Sequence, residues 1–166
     1  MGLFDIFKKK PSEPVGFQTK YDSGELKEKY FCISPDYKTY HGLYQKYHKN
    51  GQLECEVNFI QGKEDGLYKS WYDSGELHEE VKFEDGKRQG VNKIWYKNGQ
   101  IKEEKMYIKG EQLGPYKIFH ENGQLAEEGR YVSFVKKEFE GVPIKEIDPN
   151  VSIRTTGKTY PVKKYD

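Results

Sequence analysis

GLYQKYHKNGQLECEVNFIQGKED (42–65), GLYKSWYDSGELHEEVKFEDGKRQ (66–89), GVNKIWYKNGQIKEEKMYIKGEQL (90–113) and GPYKIFHENGQLAEEGRYV (114–132) follow one another without a gap. They share one frame of 24 residues, and self-similarity at a fixed period marks a repeat architecture. Gly51, Gly75, Gly99 and Gly123 keep the period, as do Gly62, Gly86 and Gly110. The rings keep step in two columns, Tyr47, Trp71, Trp95 and Phe119, then Phe59, Phe83, Tyr107 and Tyr131. A degenerate earlier unit, KYDSGELKEKYFC from Lys20, sets Gly24 27 residues before Gly51. Terminal units of arrays are often atypical because one side of each is a cap.

Each unit has the grammar of a β-hairpin. An aromatic run such as GLYKSWY meets Asn-Gly or Ser-Gly, and a second run such as ELHEEVKF follows, with Leu77, Val81 and Phe83 expected on one alternating face. Asn-Gly at 50–51, 98–99 and 122–123 tolerates the positive φ angles of a tight reversal. Two registers are open. A two-residue turn sets Lys69 against Glu80, Lys93 against Glu104 and Lys117 against Glu128, and opposed charges favour it. A three-residue turn with a bulge, which Asp73-Ser74-Gly75 suits, slides the pairing by one and sets Trp71 with Leu77 and Val81. Recurrent Gly and the β-branched and aromatic residues between them disfavour helix. The expected fold is all-β, about ten strands in a continuous twisted antiparallel meander whose hairpins stack on their neighbours.

Composition bounds the function. The chain has 166 residues, 33% of them charged, with mean hydropathy −1.00, yet 15% are aromatic, which argues for a thin ring-rich core and against disorder. The net charge of +1 is spread without blocks, so no nucleic-acid footprint is expected. Nothing approaches the ~20 apolar residues of a membrane span, and no export signal is legible, so a soluble cytoplasmic protein is expected. Cys32 and Cys55 form no disulfide framework and no metal spacing.

The unit G-x-Y-x-x-W-Y-x-x-G-x-L-x-x-E-x-x-F-x-x-G-K resembles the variant MORN repeat of bacterial YwqK-type antitoxin proteins, over about Gly16 to Val132. The resemblance implies a hairpin array that works by binding a protein partner, in some members a cognate toxin whose activity it blocks. The chain divides accordingly into a flexible segment and linker (1–15), the array (16–132) and a C-terminal extension or cap (133–166). Phe134 stands where Gly would recur, so the array ends there.

The ends are less informative. MGLFDIFKKK groups Leu3, Phe4 and Phe7 ahead of Lys8, Lys9 and Lys10. Three lysines at ~1 kcal/mol each would give weak contact between residues 1–10 and an anionic membrane; a frayed start is the plainer reading. Two β-prone pieces, Val151–Ile153 and Thr159–Val162, either cover the last strand or form a partner-binding arm.

No catalytic, cofactor-binding or metal-ligating residue is expected. Gly157-Lys158-Thr159 lacks the upstream glycine of a phosphate loop, Ser133–Lys136 matches SxxK without a companion motif, and Asn150-Val151-Ser152 is a sequon without an export signal. His48 and His120 share a repeat position but stand six strands apart, roughly 29 Å at ~4.8 Å per strand, so stacking or surface roles are expected. Glu56, Glu80, Glu104 and Glu128 recur roughly 10 Å apart, too far to share a proton, and balance the lysines. A sheet face striped with acid, Tyr and Trp suits a protein partner. The candidate partner-binding residues are Tyr47, Tyr68, Trp71, Tyr72, Trp95, Tyr96, Tyr116 and Phe119. A structural scaffold or membrane-associated assembly module is the alternative.

Overall fold

The computed structural model describes residues 13–33 and 38–132 and the strand segments 152–155, 158–159 and 163–164. Its strands are β1 (Val15–Lys20), β2 (Leu26–Ile33), β3 (Thr39–Tyr40), β4 (Gly42–Tyr47), β5 (Leu53–Ile60), β6 (Lys63–Trp71), β7 (Leu77–Glu84), β8 (Lys87–Trp95), β9 (Ile101–Ile108), β10 (Glu111–Phe119), β11 (Leu125–Val132), β12 (Ser152–Thr155), β13 (Lys158–Thr159) and β14 (Lys163–Lys164). From β4 to β11 each strand pairs antiparallel with the next in sequence, and β1 and β2 extend the sheet at one edge. At the other edge β12 runs parallel to β11, and β14 pairs antiparallel with it. Residues 152–153 and 163–164 therefore lie along the last repeat strand.

Both registers read from the sequence are present, at different heights in each hairpin. Lys69 faces Glu80, Lys93 faces Glu104 and Lys117 faces Glu128, as opposed charges require. Nearer the turn the register slips by one, so that Trp71 meets Leu77 and Trp95 meets Ile101. His78 and Lys102 are the extra residues, each a bulge that reconciles a three-residue turn with the charged pairing. Leu77 is thereby moved off the face of Val81 and Phe83, which corrects the alternation expected from sequence, and Trp71 pairs with Leu77 but not with Val81.

The tight two-residue turns are at the opposite end of the sheet. Ile60 pairs with Lys63 across Gln61-Gly62, whose φ values are 51° and 82°, and Asp85-Gly86 and Lys109-Gly110 repeat the geometry. Positive φ at both central positions is the turn whose twist matches paired strands. The Asn-Gly sites close three-residue loops: Gly51 N–H donates to the His48 carbonyl and His48 N–H to Gln52. Asn50, Asn98 and Asn122 each accept the N–H two residues on through Oδ1, at 3.0 Å. A left-handed conformation costs a non-glycine residue roughly 1–2 kcal/mol, and Asn bears it better than Lys. Lys109→Asn should therefore raise stability by about 0.5 kcal/mol in a urea melt.

The sheet has one thin core, on one face. Val57, Val81, Cys32 and Tyr116 are its buried apolar side chains and Ser70 and Asn92 its buried polar ones, among the described residues. Tyr44 pairs with Val57 and Tyr68 with Val81, so cross-strand partners put these rings and valines on the same side. Gly66, at φ 94°, lies where Gly66, Leu67 and Tyr68 oppose Val57 alone, and Gly90 repeats the kink.

Candidate functional site

Alternation along each strand sorts the chemistry into a tyrosine face and a ladder face. The tyrosine face begins with packed rings: Tyr30 stacks on Phe17 at 5.6 Å, and Tyr40 meets Tyr30 and Phe59 at 5.1 Å each. Burial pushes the Tyr44 phenol well above its usual range, and the neighbouring Glu28 carboxylate, 3.1 Å from its hydroxyl, adds to the rise. Burial also pushes the Cys55 thiol up, with Glu54 reinforcing the effect, so the thiol stays protonated at neutral pH and is a poor nucleophile.

The third repeat breaks this pattern. The Tyr–Val pairs of the first two repeats become Asn92 opposite Lys105. Asn92 is 1% exposed, and its Nδ2 donates to Glu79 Oε1 at 2.6 Å; the Arg88 guanidinium reaches the same oxygen at 3.1 Å. Arg88 also lies 6.0 Å from the Phe83 ring centre and 5.5 Å from that of Tyr107, so a cation bridges rings that a tyrosine bridges elsewhere. Lys105 is held by Glu103. Glu79, Glu103 and Glu127 form a carboxylate row not anticipated from sequence. The Glu-Glu dipeptides at 79–80, 103–104 and 127–128 signal it, because neighbours on a strand face opposite ways.

The eight candidate rings do not gather into one patch. Tyr68 and Tyr116 belong to the tyrosine face, and Tyr116 is 2% exposed, too buried to meet a partner without rearrangement. Tyr72 and Tyr96 are struts between repeats. Their hydroxyls donate to the carbonyls of Trp95 at 2.7 Å and Phe119 at 2.8 Å. Tyr21 makes the same bond to Tyr47, and His48 takes that place through Nε2 on the Trp71 carbonyl at 3.0 Å. His120, exposed at the end of the series, is the last member of this column. Losing one such bond costs about 1 kcal/mol, so Tyr72→Phe should lower stability by that amount while leaving the far-ultraviolet circular dichroism unchanged.

Tyr47, Trp71, Trp95 and Phe119 lie on the ladder face, half-buried and alternating with Leu53, Leu77, Ile101 and Leu125. Beside this apolar row runs the charged ladder Glu56, Lys69, Glu80, Lys93, Glu104, Lys117 and Glu128, one residue per strand. Lys69–Glu80 and Lys93–Glu104 are loose ion pairs, 3.3 and 3.5 Å apart. Beyond the ladder, Leu43, Ile60, Leu67, Val91 and Ile108 are each 42–49% exposed. All five fall on this face by alternation, while a sixth exposed aliphatic, Val15, falls on the other.

No group of three or more His, Cys, Asp or Glu side chains could hold a metal ion among the described residues. A depression of about 140 Å³ at the turn end is lined by Ile60, Gln61, Lys63, Asp65 and Asp85. Small-molecule sites usually measure roughly 300–1,000 Å³, so this one is too small for most organic ligands. Residues 1–10 and the Ser133–Lys136 pattern lie outside the described residues, and no helix among the described residues is long and apolar enough to cross a membrane.

None of the curated proteins matches the chain. Among solved structures it is similar to "Crystal Structure of TarM" at 8% identity and a TM-score of 0.36, covering 72% of this chain. This chain spans 20% of that one, and a likeness so distant carries no functional argument. The family description "MORN repeat variant" matches residues 40–61, 64–85, 88–109 and 112–133, over half of the sequence and in step with the hairpins. MORN repeats are commonly protein- or membrane-binding modules, a role that a hairpin sheet can fill. With four consecutive copies in one frame, the chain belongs to the MORN repeat variant family.

Proposed function

We propose that the chain is a non-enzymatic protein that holds a protein partner against its ladder face. In the narrower form of this reading it is an antitoxin or immunity-like protein that neutralises a toxin by covering it. The supporting observation is that five exposed aliphatic side chains and a row of half-buried rings share one face, on either side of the charged ladder. Exposed apolar side chains on one face favour docking, and Trp and Tyr are preferred anchors. The opposite face has its rings packed against one another, which leaves it less to offer a partner.

The test uses Leu67→Glu combined with Val91→Glu. Both side chains are about half exposed, so stability should change by no more than about 0.5 kcal/mol per site. Complex formation with the product of the neighbouring gene, and protection from its toxicity, should be lost. A double variant that still binds and protects would exclude the ladder face. If the chain is instead a membrane-associated assembly module, it floats with anionic liposomes and ceases to do so without residues 1–10.

A further inference from the structure

We infer that the ladder face also docks a second copy of this chain, face to face, about a two-fold axis parallel to the strands and passing between β7 and β8. The inference rests on the reading of this face as a docking surface, and the charge order along the ladder carries it. From β5 to β11 the central residues run Glu56, Lys69, Glu80, Lys93, Glu104, Lys117, Glu128, with signs alternating at every step. Such a series is complementary to its own reversal. With the axis between β7 and β8, Glu80 meets the second copy's Lys93, Lys69 its Glu104, and Glu56 its Lys117.

The same axis keeps each row at its own height along the strands. The row of Trp71, Leu77, Trp95 and Ile101 then lies on its own counterpart, while Leu67 and Val91 flank Lys82 on the other side of the ladder. A two-fold along the ladder would instead put Lys on Lys and Glu on Glu, which like-charge repulsion disfavours. The ladder groups retain bonding capacity. Lys69 and Glu80 side chains are each 34% exposed, and their mutual contact at 3.3 Å occupies one donor and one oxygen. The area also suffices. Seven strands at ~4.8 Å and nine residues at ~3.3 Å span about 1,000 Å² of flat sheet, against the ~800 Å² per partner that specific interfaces bury.

Charge exchange tests the arrangement on the full chain by sedimentation velocity. The unaltered protein should be dimeric. Lys69→Glu alone faces Glu104 twice across the two-fold, and Glu104→Lys alone faces Lys69 twice, so each should weaken self-association by on the order of 10- to 100-fold. An equimolar mixture of the two variants restores both opposed pairs and should dimerise as the unaltered protein does. Recovery on mixing separates docking from a folding defect, which mixing cannot repair. A monomeric unaltered protein, single variants that still dimerise, or a mixture that stays monomeric would each overturn the inference. None of these results bears on the Leu67 and Val91 test, so partner binding can survive the loss of this proposal.

Discussion

Tyr116→Ala is expected to cost about 3–5 kcal/mol, the usual range for removing a buried aromatic side chain. Tyr116 is 2% exposed, its hydroxyl donates to Glu127 Oε1 at 2.7 Å, and its ring centre is 4.7 Å from that of Tyr131. The ring also leans over Gly129, where an added Cβ would approach it to 2.8 Å. Its loss empties the last repeat of its main packed group. Because repeats support only their neighbours, the damage should be local. In urea the circular dichroism should show an early transition from β10–β11, while the fluorescence of Trp71 and Trp95 reports a later one. A single cooperative transition shifted by less than about 1 kcal/mol would mean that Tyr116 is not the core of that unit.

Glu79→Ala should cost about 3 kcal/mol, whereas Glu80→Ala should cost at most about 1 kcal/mol. The two carboxylates are adjacent in sequence and opposite in orientation. Glu79 accepts from the buried Asn92 amide and from Arg88, and its side chain is 14% exposed. Removing it leaves the buried Asn92 amide without its acceptor, and the desolvation of that group is then uncompensated. Among the described residues, the ion pair of Glu80 is its half-exposed ladder contact with Lys69. Chemical denaturation of the two variants side by side checks the contrast. Equal effects would show that the third-repeat polar cluster is as solvated as the ladder.

The repeat and its strand order are legible because Gly and rings mark every unit, and a hairpin reading follows from their spacing. Less legible are the turns. Asn50-Gly51 suits a two-residue reversal as well as a three-residue loop, and only the bulge at Glu54 restores the register that sets Gln45 against Glu56. Gln61 and Lys109 take positive φ with side chains that give no signal of it. The site divided for the same reason. One extra residue per hairpin changes the parity of everything between it and the turn, so Leu77 and Val81 part company. The strut role of Tyr72 and Tyr96 needs a carbonyl from the next unit, which no local pattern shows. The polar third repeat is visible in the columns themselves, where Tyr44, Tyr68, Asn92, Tyr116 and Val57, Val81, Lys105, Gly129 stand in register.

Glu79 ends its own hairpin's share of the work with an oxygen that Asn92, in the following hairpin, completes. Swapping the second and third modules would set the Asn92 amide beside Cys55, which offers it no carboxylate. The modules are thus not interchangeable beads on a string. Their order is written into side-chain chemistry, and a shuffled array should be less stable than its unshuffled parent of identical composition.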